Sequence, residues 1–132
     1  MILVDSSVWI DFFRNRTTAQ VERLVALLLA REPAMGDLVL AEILQGCDTD
    51  KEFNQVLRFL QPLPVIPISD EAIAIQAARN YRSLRARGVT VRKTIDTLIA
   101  TRCIVDGHSL LYSDRDFDPF VEYLGLETAM EG

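Results

Sequence analysis

Short apolar runs of strand length alternate with stretches of helical periodicity along this chain, and that alternation leaves few architectures open. Ile2-Leu3-Val4 stops at Asp5, Ala34 to Gly36 follows Pro33, Val65-Ile66 is bracketed by Pro62, Pro64 and Pro67, and Leu110-Leu111-Tyr112 stops at Ser113-Asp114. Each reads as a strand, and prolines around Val65-Ile66 place that one near a sheet edge. A last strand is expected around Leu126. Helices are expected over Val8 to Arg14, capped by Ser6 or Ser7, and over Thr18 to Arg31. Two more follow, from Leu38 to Gln45 behind an Asp37 cap and from Asp50 to Leu60. Ser69 is placed to cap a helix from Asp70 to Arg87, closed by Gly88, and Thr94 to cap one reaching Asp106, closed by Gly107. A short helical turn is expected over Asp116 to Leu124.

Strands separated by helices cannot pair as tight hairpins, so the sheet is expected to be mostly parallel, in an α/β fold. In such sheets ligands bind beyond the carboxyl ends of strands, where the strand order reverses. Asp5 and Asp114 both stand just past a strand end; if those strands are neighbours, their carboxylates share one edge.

With 49% hydrophobic residues in 132, and no repeat or linker, one domain over residues 1–132 is expected. The amino-terminal residues do not read as a signal peptide, and the longest apolar run, Val25 to Ala30, is too short to cross a bilayer. A cytoplasmic protein without a membrane partner is expected. Cys47, Cys103 and the lone His108 offer neither zinc-ligand spacing nor a disulfide framework.

Carboxylates stand where a packed fold would favour something apolar. Asp5 follows a buried strand, Glu42 is the only charge between Leu38 and Cys47, Asp96 is embedded in Ile95 and Thr97-Leu98-Ile99-Ala100, and Asp114 and Asp116 follow a strand. Each has an ordinary structural reading. Asp5 could cap a helix, Glu42 could face solvent, Asp96 could answer a helix dipole, and Asp114 and Asp116 could be turn residues. Jointly they point elsewhere. Several carboxylates in one cleft must bind protons or a hard cation, and oxygen ligands without His or Cys suit Mg²⁺ or Mn²⁺. Such an ion activates water against a phosphodiester.

The net charge of −5 argues against a nucleic-acid enzyme only until five carboxylates are set aside as ligands, which leaves 14 acids against 14 Lys and Arg. The positive charge is also gathered: Arg79, Arg82, Arg85, Arg87, Arg92 and Lys93 form a cluster that could track RNA phosphates or be a solvated helix face. Trp9, Phe12, Phe13, Phe53 and Phe59 are expected mostly in the core, with some free to line a groove between the early helices.

Four segments carry a resemblance to a known family. Met1 to Ile10 (MILVDSSVWI), Leu40 to Gly46 (LAEILQG), Arg92 to Ala100 (RKTIDTLIA) and Ser113 to Asp118 (SDRDFD) resemble, in order and spacing, the VapC-type PIN-domain toxins. The resemblance implies a PIN-like three-layer α/β/α sandwich and a Mg²⁺- or Mn²⁺-dependent endoribonuclease, the toxin of a type II toxin–antitoxin pair. Asp5, Glu42, Asp96 and Asp114 match the family's four acids, as catalytic residues and metal ligands, and Asp116 matches a common additional one. Which of Asp114 and Asp116 touches metal stays open. Ser7 and Thr94 match small hydroxyl positions that would orient carboxylates or water. The resemblance further implies an RNA substrate, a VapB-type antitoxin lying in a groove, and a homodimer. The alternatives are a catalytically silent PIN-like scaffold that binds RNA or protein, and a Mg²⁺-dependent phosphoryl-transfer or receiver domain. Against the last, Ser7 stands where an aspartyl phosphatase wants a second Asp, and only Asp5 follows the first strand where a receiver wants paired acids.

Overall fold

A computed structural model of the chain describes residues 1–130. Five strands, β1 (Ile2–Val4), β2 (Pro33–Gly36), β3 (Val65–Ile66), β4 (Ser109–Leu111) and β5 (Glu127–Thr128), form one sheet in the order β3-β2-β1-β4-β5. Every pairing is parallel, so the sheet is parallel throughout. Its middle strands are buried on both faces, as parallel strands must be when helices cover them: Leu3, Val4, Ala34, Met35, Leu110 and Leu111 are all at most 1% exposed.

Seven α-helices and a 3₁₀ turn connect these strands: α1 (Ser6–Phe13), α2 (Ala19–Leu29), α3 (Asp37–Gln45), α4 (Asp50–Leu60), α5 (Glu71–Ala86), α6 (Thr94–Asp106), the turn Arg115–Phe117, and α7 (Asp118–Leu124). The chain moves outward from β1 to β2 and β3, then returns through α5 and α6 to place β4 on the other side of β1. β1 and β4 therefore flank the point where strand order reverses, the expected seat of a ligand in an open parallel sheet.

Several helix starts differ from the sequence reading by one or two residues. In α1 and α5 the cap is the last extended residue before the helix. Asp5, not Ser6 or Ser7, caps α1, and Asp70, not Ser69, caps α5. Asp37 and Thr94 are first helical residues behind Gly36 and Lys93, which make no side-chain cap. Asp37 instead ties β3's exit to α3, because Oδ1 accepts both the Leu38 and the Ile68 N–H at 2.8 Å. Gly107, at φ 72°, closes α6 in the left-handed conformation that costs glycine nothing, and α6 turns there into β4.

α6 lies against α5 through two polar anchors. Asn80 Nδ2 donates to Thr101 Oγ1 at 3.0 Å in a buried contact, and within α5 Gln76 Nε2 braces Asn80 by donating to its Oδ1 at 3.0 Å. Arg102 reaches from α6 to the start of α5, where it bonds Asp70 at 2.8 Å and the Ile68 carbonyl at 3.0 Å. These bonds fix the direction in which α6 presents its first turn. No helix among the described residues is long and apolar enough to cross a membrane.

Candidate active site

Four stretches of chain deliver carboxylates to the edge where β1 and β4 end. The Asp5 N–H donates to the Leu111 carbonyl at 2.8 Å, which extends the β1–β4 ladder one step and fixes the origin of the side chain. The carboxylate then turns back: Oδ2 accepts from the Ser7 hydroxyl at 2.6 Å and from the Ser7 N–H at 3.2 Å. Asp5 is 4% exposed. Burial raises its pKa, the Ser7 and Ser6 donors oppose this, and the charge of Asp114 adds to the rise.

Glu42 comes from α3, the helix that leaves the end of β2. Its Oε1 is buried with no hydrogen-bond partner among the described residues. Burial raises this carboxyl, as does the charge of Asp5, while the Ser6 hydroxyl and Lys93 pull it back.

Asp96 lies in the first turn of α6, a position where the helix dipole favours the charged form. Burial overrides that preference. Asp96 is 4% exposed, its Oδ2 has no hydrogen-bond partner among the described residues, and its pKa is pushed from 3.8 up to about 7. Desolvation is the largest cause; the charges of Asp5, Asp114 and Glu42 also raise it, and Lys93 opposes them.

Asp114 follows β4 and caps the 3₁₀ turn, with Oδ1 accepting the Asp116 N–H at 2.9 Å. Phe117, fully buried, pins that turn to the core. One carboxylate oxygen from each of Asp96, Asp114 and Asp116 lies within 4.8 Å of the others. Arg92 holds Asp116 by two nitrogens, with Nη2 at 3.0 Å from Oδ2 and Nε at 3.3 Å.

Buried carboxyl oxygens without donors, mutual charge repulsion and an all-oxygen donor set together fit a hard divalent cation. An ion of that kind removes the repulsion and fills the unmet acceptor positions at once.

The sequence pattern of the PIN domain family matches residues 2–121. The chain belongs to the PIN-domain family. Its curated relatives include the VapC ribonuclease Mb1587 of Mycobacterium bovis and ribonuclease VapC11 of Mycobacterium tuberculosis, each 35% identical over 133 residues that cover 98% of both chains. Ribonuclease VapC1 of Methanocaldococcus jannaschii is 29% identical over 126 residues, 96% of this chain and 85% of that protein. Among solved structures, VapBC2 from Rickettsia felis bound to a promoter DNA fragment superposes with a TM-score of 0.72 at 21% identity, over 97% of each chain. FitAcB from Neisseria gonorrhoeae gives 0.67 at 22% identity, over 97% of this chain and 96% of that one. These likenesses match the all-parallel sheet with its flanking helices, the PIN fold expected from the sequence.

Within this PIN domain, Asp5, Glu42, Asp96 and Asp114 are linked through one another's charge, and Asp116 joins Asp96 and Asp114 in the group whose oxygens lie within 4.8 Å of one another. Ser7 holds Asp5 directly. Thr94 is exposed, and no hydrogen bond links its hydroxyl to an acid; it lines a groove between α5 and α6 instead. Arg79, Arg82, Arg85 and Arg87 are exposed on and just after α5. Arg85 sits over the Tyr81 ring and Arg87 over Tyr123, at 5.6 and 4.8 Å. Arg92 and Lys93 depart from a simple phosphate track: Arg92 pairs with Asp116, and Lys93 acts on Glu42 and Asp96. Sequence reasoning passed over three hydroxyls. Ser6 acts on Glu42, and the hydroxyls of Thr97 and Ser113, each next to an acid in sequence, are buried and unpartnered. A hydroxyl residue beside an acid carries no signal until burial is known.

The aromatic residues divide. Trp9 is fully buried, and Phe12 and Phe13 pack beside it with ring centroids 6.1 Å from it. Phe59, also in ring contact with Phe12 and Phe13, is 46% exposed, and Phe53 is 38% exposed, so these two do not belong to the core.

Proposed function

We propose that this PIN domain is a metal-dependent endoribonuclease, the toxin of a type II toxin–antitoxin pair, with Asp5, Glu42, Asp96 and Asp114 as its catalytic carboxylates. The observation that carries this reading is Asp96, a nearly buried carboxyl with an unmet oxygen, surrounded by three other acids at the switch point of the sheet. The end-to-end match to relatives named as ribonucleases supports the same reaction.

Asp5, Glu42, Asp96 and Asp114 would hold the ion, and Asp116 would join them when Arg92 releases it. All-oxygen donors favour Mg²⁺ or Mn²⁺ over softer metals. A bound ion of this kind supplies an activated water and neutralises charge building on a phosphate. The chain's own residues prepare for that. Ser7 anchors one oxygen of Asp5 and so sets the orientation of the other. The anchored α6 keeps Asp96 facing the cleft. Lys93, close enough to bias the protonation of Glu42 and Asp96, would meet the incoming phosphate. The exposed arginines of α5 extend that positive surface away from the acids, which supports RNA as the substrate.

The solved relatives are toxin–antitoxin complexes, which supports a VapB-type antitoxin as partner. The exposed Phe59, in tilted and edge-on ring contact with Phe12 and Phe13, and the exposed Phe53 on the same helix are the apolar surface best suited to receive it. We assign the working form to a cytoplasmic homodimer.

The test is incubation of the purified protein with a mixed RNA pool in Mg²⁺, in Mn²⁺ and in chelator, with Asp96→Asn prepared identically. Discrete fragments that require both metal and Asp96 support the enzyme. Metal binding and RNA binding with no cleavage of any RNA would replace it with a silent scaffold.

A further inference from the structure

A groove of about 410 Å³ runs between α5 and α6, lined by residues other than the clustered acids. It opens because α5 turns the small Ala74 and Ala78, one helical turn apart, toward α6, where larger side chains would have closed the gap. Tyr81 and Leu98 supply its broad apolar walls, Arg82 stands at its rim, and no acid lines it. Its volume falls at the low end of the roughly 300–1,000 Å³ of small-ligand sites.

Thr97, which lines this groove, is 3% exposed, and its hydroxyl has no hydrogen-bond partner. A helical threonine ordinarily satisfies that hydroxyl against its own backbone. A buried one left unmet is a donor and acceptor in waiting. Thr94 and Thr97, both in the groove lining, flank Asp96 in the first turn of α6, so the groove shares that turn with the acid but opens on a different face of the helix. The groove walls are fixed in advance by the buried Asn80–Thr101 bond and by the Arg102–Asp70 pair, so binding there needs little ordering of the protein.

We propose that this groove takes the base of one unpaired nucleotide in the RNA substrate, adjacent to the bond that is cut. The inference rests on the ribonuclease reading and deepens it. Tyr81 and Leu98 pack on the base, the Thr97 hydroxyl bonds its edge, and Arg82 meets the backbone phosphate. An unstacked base offers a flat apolar face and a polar rim, which matches this lining, and the exposed Arg79 and Arg85 on the same helix match the charge of the flanking chain. A paired helix could not present a base this way, so the substrate class is single-stranded or looped RNA.

The experiment is an amide NMR titration of the full chain, in chelator, with each of the four ribonucleoside monophosphates to about 10 mM, the range in which fragment-sized contacts register. At least one nucleotide is expected to shift the amides of Ala78, Thr97 and Leu98. Ala78→Leu, a substitution at an exposed position, should abolish those shifts by filling the groove. Thr97→Val should weaken the preferred nucleotide about tenfold and narrow the difference among the four, with thermal stability unchanged or raised, since no protein bond is lost. No shift at these amides with any nucleotide overturns the inference. So does a change of oligomeric state in Ala78→Leu without a nucleotide response in the parent, which would make the occupant a second copy of the chain. Because the titration involves no cleavage, its failure is separate from failure of the metal- and Asp96-dependent assay.

Discussion

Replacing Asp96 by Asn should stabilise the metal-free protein at alkaline pH while destroying its activity. In the folded chain the Asp96 carboxyl is raised from 3.8 to about 7 by burial and by neighbouring acids. That is a more than thousandfold difference in proton affinity, about 4 kcal/mol at about 1.4 kcal/mol per tenfold. The folded state holds this proton between pH 4 and 7 while the unfolded state has lost it. Stability therefore falls as pH rises through that window, and it levels off above about pH 7, where both states are ionised. Asn keeps the shape and never ionises. Urea unfolding in chelator should show the variant more stable than the parent by up to about 4 kcal/mol at pH 8, with the gap closing to less than about 1 kcal/mol at pH 4. Adding Mg²⁺ or Mn²⁺ at pH 8 should stabilise the parent strongly and the variant much less, because only the parent has the full charge to bind it. Equal stability at pH 8, or a gap that does not depend on pH, would refute the claim that Asp96 is held in the fold at electrostatic cost.

Three further outcomes follow from the site. Ser7→Ala removes the 2.6 Å bond to Asp5, should cost about 1–2 kcal/mol of stability, and should lower metal affinity or cleavage about 10- to 100-fold. Since Ser7 is the main influence opposing the raised pKa of Asp5, the cleavage pH profile should also move to higher pH, and an unmoved profile would leave Ser7 a helix-cap partner only. Arg92→Ala breaks a pair whose arginine is mostly exposed, so stability should change by no more than about 0.5 kcal/mol, while Mg²⁺ binding measured by calorimetry should tighten as Asp116 is freed. Phe117→Ala empties a fully buried aromatic position beneath the Asp114–Asp116 turn; urea unfolding should show a loss of about 3–5 kcal/mol, and Mg²⁺ binding should weaken with it.

The strands and helices were legible because each follows from local pattern: apolar runs of strand length, prolines at the edge strand, and glycine at the end of α6. The candidate acids stood out for a related reason, since a carboxylate amid apolar neighbours is conspicuous in a sequence. Legibility failed where the outcome depended on distance in space. Asp116 and Arg92 are 24 positions apart, and nothing in either segment foretells their pairing. Arg92 and Lys93 look like the rest of the basic cluster, yet the turn into α6 carries them to the acids, while Arg79, Arg82 and Arg85 stay on an outer helix face. Asp5 shows why separate readings need not compete. It caps α1, as its ordinary structural reading holds, and the same extended backbone puts its carboxylate in the cluster.

This double use of Asp5, which Asp114 shares, explains how a fold of two- to four-residue strands tolerates such a site. Concentrating acids in an apolar setting opposes folding, and each acid with a structural task offsets part of that opposition. Asp5 extends the β1–β4 ladder through its N–H and starts α1 with its side chain. Asp114 starts the 3₁₀ turn through Oδ1. Asp96 and Glu42 have no comparable task; each keeps a buried oxygen unpartnered. The acids least engaged with the protein are thus the ones most available to a cation. Chemistry and stability pull apart at these two positions, and under the proposed function a bound cation would supply the counter-charge that the chain itself withholds.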